Sequence, residues 1–130
     1  MNLNRDDLAR KVSITLASEL EQNLPELVEQ EIELQKHSKP ISTDESIEIA
    51  MLGLAVAALV LQIAAFAIQI RDSRRQQLKS LPEISEYELE VQQRLGAKVL
   101  TAATVEKRQI IKRIIQVTVL EILEDLNDNQ

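Results

Sequence analysis

The sequence predicts an all-α protein built around one long central hydrophobic helix, and three observations carry that expectation. Residues 49–70 (IAMLGLAVAALVLQIAAFAIQI) form a run of 22 without a charge or a proline. At about 1.5 Å per residue the run makes a rod of roughly 33 Å, against about 30 Å for the hydrocarbon core of a bilayer. Outside it, apolar residues recur at helical spacing with charges opposite. Glycine and proline are scarce, at 2 and 3 residues, which removes most of the turn chemistry that an all-β chain requires.

The first helix is expected over residues 4–22, where Leu8, Val12, Leu16 and Leu20 line one side with Ala9 and Ala17 beside them. Asn4 or Asp6 caps it, and Asp6 and Asp7 suit the positive end of its dipole. A second helix, residues 25–35, opens on Pro25, a residue tolerated in a first turn. Leu27, Val28, Ile32 and Leu34 give it an apolar side, and Glu26, Glu29, Glu31 and Glu33 an acidic one. Pro40 breaks the pattern. Ser42 and Glu45 then have the spacing of a capping box, and nothing interrupts the helix from there to about Lys79. Ser80 and Glu83 repeat that spacing ahead of a helix over residues 83–94, which Gly96 ends. The last helix is expected over residues 98–126. At 100° per residue, Ile111, Ile115, Val119, Ile122, Leu123 and Leu126 fall in one arc, and Ile110, Ile114 and Val117 form a second strip. Two strips imply two neighbours. The β-branched run in residues 109–119 leaves a strand as the competing reading there.

The chain therefore divides into an acidic amphipathic region (1–39), the central helix (42–79) with its apolar segment 49–70, and a helical C-terminal region (80–130). The leading reading of the apolar segment is a single transmembrane span, on its length, its lack of charge and its flanks. The missing Trp and Tyr at its borders count against this. The competing reading is the buried core of a soluble bundle. A helix apolar all round must be covered on every side, and the remaining short helices are expected to cover such a rod only partly, so a soluble form is expected to oligomerise. Ala50, Gly53, Ala57, Val60, Ala64 and Ala67 form a seam of mostly small residues, the kind of surface on which helices approach closely in lipid. Gln62 and Gln69 lie on one face of the helix and suit a polar contact across an oligomer. Arg71, Arg74, Arg75 and Lys79 form a basic flank, which by the positive-inside rule puts the C-terminal side in the cytoplasm. No short apolar signal region follows the polar start MNLNRDDLARK.

Composition narrows the function. Phe66 and Tyr87 are the only aromatics, so a base-stacking surface is not expected. There is no cysteine, which excludes disulfides and thiolate chemistry. His37 is the only histidine. With Glu29 and Glu33 it shares a helix face, but carboxylate-bridged metal sites normally draw on several helices and more than one His. No phosphate loop, nucleophile elbow or zinc motif is present, and no cofactor or small-molecule substrate is expected. The net charge of −6 arises before the apolar segment, since residues 1–48 hold 11 acids and 5 bases whereas residues 71–130 hold 10 of each. Lys107, Arg108, Lys112 and Arg113 form a second basic group, ahead of Glu121, Glu124, Asp125 and Asp128. That order opposes the helix dipole and suits pairing with antiparallel neighbours. The expected partners are a lipid bilayer, further copies of the chain, and proteins docking through the Ile111, Ile115, Val119, Ile122 and Leu126 face. No nucleic acid is expected. The expected function is a non-enzymatic, membrane-associated assembly protein, extending to a small pore-forming effector. The alternative is a soluble oligomeric helical scaffold.

Overall fold

The computed structural model describes residues 3–20, 22–37, 53–77, 80, 82–96 and 105–128, with the backbone alone described at 37, 53–55 and 126–128. Among these residues there are five helices and no strand: α1 (Arg5–Leu16), α2 (Leu24–His37), α3 (Gly53–Gln76), α4 (Ile84–Leu95) and α5 (Val105–Asp128). The all-α expectation holds. The long apolar element is α3, whose 24 residues make a rod of about 36 Å. The Ser42–Glu45 start signal lies outside the described residues.

Local chemistry sets most of the boundaries. Asn4 caps α1 with an extended backbone, and its Oδ1 accepts from the Asp7 N–H at 2.8 Å. The helix ends at Leu16, short of the expected Gln22, where the Glu19 N–H bonds back to the Leu16 carbonyl in a tightened turn. Leu20 still packs partly against the core. Pro25 is the second residue of α2, where a missing N–H leaves no helical bond unmade. The expected Ser80–Glu83 capping box does not form. Glu83 itself occupies the cap position of α4, after Pro82, and makes no side-chain capping bond. Gly96 ends α4 as expected, at a φ of 104° that favours glycine, with its N–H on the Gln92 carbonyl. The β-branched run within residues 109–119 is helical throughout. There the Thr118 hydroxyl donates to the Ile114 carbonyl at 2.7 Å, which satisfies a buried polar group inside the helix.

The helix α3 is the axis of the bundle and packs against all four others. Around it the remaining helices follow one another in the order α2–α1–α5–α4, each packed on the next. Among the described residues the ring is closed along those three junctions and open between α2 and α4, which share no comparable packing. Val56, Ala57, Ala58, Leu59, Val60, Leu61, Ile63, Ala64, Ala67 and Ile70 are all buried in one chain. The expectation that the rod would be only partly covered is thus corrected over most of this length. The cover comes from all four other helices, most extensively from α2 and α1.

Leu59 is fully buried, whereas Ile14 on the outer side of α1 is 66% exposed. Leu59→Ala is expected to destabilise the fold by about 2–5 kcal/mol and Ile14→Ala by less than about 0.5 kcal/mol. Urea unfolding followed by circular dichroism measures both.

Candidate functional site

The small-residue seam faces inward. Ala57, Val60, Ala64 and Ala67 have no exposed surface in the closed bundle, so their smallness serves close approach of the chain's own helices. Ala50 lies outside the described residues, and of Gly53 only the backbone position, at the start of α3, is described. The face proposed on α5 for a partner helix is likewise internal: Ile111, Ile115, Val119 and Ile122 are buried, and α5 packs on α1, α3 and α4. Ile114 and Val117 are buried too, so the two apolar strips serve three neighbours rather than two. The side chain of Leu126 lies outside the described residues.

The polar residues of α3 mark the side where the ring is open. Gln62, Ala65 and Phe66 are half-buried and Gln69 is exposed. With Asp72 and Ser73, also half-buried, they recur at the three- and four-residue steps of a single helix face. Sequence spacing found this face, and the open junction between α2 and α4 accounts for its polarity. Gln69 Oε1 accepts from Arg94 of α4 at 3.2 Å.

The basic flank is largely spent inside the fold. Arg71 is only 4% exposed, and its Nη1 donates to the Leu3 carbonyl at 2.6 Å while its Nε donates to Asp72. Arg74 grips Glu90 of α4 at 3.1 Å and also donates to the Ser80 carbonyl. Arg75 is exposed, and Lys79 lies outside the described residues. A four-residue cationic patch is therefore not presented to solvent. The sequence signal misled because a positive charge at the end of an apolar run looks the same whether it meets headgroups or closes a helix C-terminus.

Other polar contacts tie the ring together. Arg10 of α1 pairs with Glu29 of α2, which raises the Arg10 pKa, and Arg5 donates to Gln35 at 2.8 Å. Arg113 of α5 pairs with Glu19 at 3.1 Å, and Thr15 donates to Glu121. The base-before-acid order along α5 is thus answered in part within the chain itself. Glu31, expected on the acidic face of α2, is instead buried at 2% exposure, with one oxygen accepting from Gln35 Nε2 at 3.1 Å. It follows Leu24 by seven residues and Val28 by three, which places it on the core side. Glu26, Glu29 and Glu33 remain exposed. His37 closes α2, and its side chain lies outside the described residues. Among the described residues no group of three metal-ligating side chains comes together.

Tyr87 is the feature that sequence reasoning passed over. It is fully buried, and its hydroxyl donates to the Ala67 carbonyl of α3 at 2.6 Å. Burial pushes its pKa well above the usual tyrosine range, and the charge of nearby Arg71 offsets this only in part. The available signal was a lone tyrosine within an apolar face, Ile84–Tyr87–Val91–Leu95, since a buried phenol needs a partner.

Compared with protein-family models, with curated proteins and with solved structures, the chain matches none.

Two outcomes follow from this geometry. The folded state holds the Tyr87 proton more tightly than the unfolded chain does. The associated stability is therefore complete below about pH 10 and is lost as pH rises through the folded pKa. Alkaline titration of the single tyrosine by tyrosinate absorbance is expected to show ionisation only with unfolding. Separately, Arg71→Ala leaves the buried Leu3 carbonyl without its charged donor. It is expected to cost about 2 kcal/mol in thermal or urea unfolding.

Proposed function

We propose that the chain is a non-enzymatic helical scaffold or adaptor that works in water as a self-contained bundle, with its hydrophobic helix serving as its own core. One observation carries the reading: α3 is covered along 56–64 by helices of the same chain, apart from the half-buried Gln62. A helix buried in that way gains each side chain's transfer free energy, roughly 1.5–3 kcal/mol for a Leu or Ile. It has no need of lipid. The surface left for partners is the outer face of the ring, where Ile14, Leu34, Ile84, Leu89 and Val105 are exposed. Any self-association of the closed form draws on these residues rather than on the Ala57–Ala67 seam.

A second reading, membrane association with the Arg75 side cytoplasmic, is favoured by a different observation. No ionisable residue occurs between Val56 and Ile70, and Val56–Gln76 is long and apolar enough to cross a bilayer, with a mean hydropathy of 1.4. By length and composition alone, a soluble core helix passes the same test.

Fractionation separates the two. The scaffold reading expects the expressed chain in the soluble fraction without detergent, and release of any pelleted material by alkaline carbonate. Retention in carbonate-washed membranes contradicts it. Ala57→Glu is expected to unfold the bundle in the first case and to block insertion of an otherwise stable protein in the second. Circular dichroism and fractionation of that variant distinguish these results.

A further inference from the structure

We propose that α4 is a gate over α3, held by a polar clasp at one end, and that its release exposes an apolar strip to a lipid surface bearing anionic headgroups. The proposal rests on the second, membrane, reading and names how that membrane contact would be regulated.

Among the described residues α4 lies at the open end of the ring and packs chiefly on α3 and α5, less extensively than α2 packs at the other edge. It buries three apolar residues, Tyr87, Val91 and Leu95, and leaves Ile84 and Leu89 exposed. Its polar attachments to α3 gather near the C-terminal half of that helix. Tyr87 donates to Ala67, Arg74 donates to both oxygens of Glu90, and Arg94 donates to Gln69. Gly96, at positive φ, sits at the far end of α4, where a change of chain direction is least hindered.

Removing α4 would widen the existing seam. The face already least covered holds Gln62, Phe66 and Gln69, and the arc beside it holds Ile63, Ala67, Ile70 and Arg74. Together they make a broad strip that carries no charge before Arg71. The same motion separates Arg74 from Glu90, so a cation appears beside the apolar strip as it opens. An apolar surface ending in the Arg74 guanidinium, with Asp72 of the same face already paired with Arg71, fits the acyl and headgroup layers of an anionic bilayer.

The test uses the full chain with Tyr87→Phe, Glu90→Gln and the double variant. Glu121→Gln, whose side chain touches α1 and not α4, is the control. Amide hydrogen exchange reads the gate. Each clasp variant is expected to speed exchange at Val91 and Leu95 about fivefold, from the loss of one hydrogen bond, and the control is expected to leave it unchanged. Co-sedimentation with phosphatidylglycerol vesicles reads the lipid contact. The bound fraction is expected to rise in the same order as exchange, and not to rise with phosphatidylcholine vesicles. Unchanged exchange in all three clasp variants overturns the gate. Faster exchange without any gain in vesicle binding leaves α4 mobile but overturns the lipid partner, whereas the membrane reading itself is decided by the carbonate fractionation of the unaltered chain. Glu90→Gln alone alters a half-buried pair and leaves the Tyr87 bond in place, so it reports even if the double variant does not fold.

Discussion

A helix without polar relief on any side has to be enclosed, and that requirement organises this protein. From Val56 to Ile70 the chain offers water nothing but two glutamine amides. A half-covered rod of this kind would associate with whatever apolar surface it met. The four other helices are arranged to prevent this, α2 and α1 packing most extensively on the rod and α4 and α5 on the rest. Among the described residues enclosure weakens between α2 and α4, on the side where the glutamines lie. Placement of polarity and placement of the opening are thus one fact seen from two directions.

The second organising feature is the use of charge at the C-terminal end of α3. Cations suit a helix C-terminus because its carbonyls are left without helical partners. Here the guanidinium groups do more than complement a dipole. Arg71 carries the start of the chain to the end of the rod through the Leu3 carbonyl, and Arg74 carries α4 there through Glu90. With Tyr87 bonded to Ala67 nearby, this end is fastened by directional polar contacts. On α2 the buried residues Leu24, Val28 and Ile32 contribute burial that favours contact without fixing direction.

Periodicity made most of the architecture legible in advance. The helices, their apolar faces, the Asn4 cap and the Gly96 stop follow from spacing and local chemistry, as does the shared face of Gln62 and Gln69. What escaped was anything that depended on which surface met which. Ala57, Val60, Ala64 and Ala67 read equally well as a seam between chains or within one, because close approach looks the same from a sequence. The face of Ile111, Ile115, Val119 and Ile122 has the same ambiguity. Arg71 resembled a headgroup anchor because its partner is a backbone carbonyl 68 residues away, and Glu31 resembled a solvent residue because the acids around it are solvent residues. Tyr87 carried a hydroxyl whose acceptor, a main-chain oxygen, leaves no trace in composition.

Native-state hydrogen exchange in detergent-free buffer, followed along α3 at several protein concentrations, tests the enclosure most directly. Amides from Leu59 to Ala67 are expected to be among the slowest in the molecule, to open only with global unfolding, and to keep that protection on dilution. Rapid exchange along this segment in dilute solution would contradict it. So would protection that appears only when protein concentration is raised or when lipid is added.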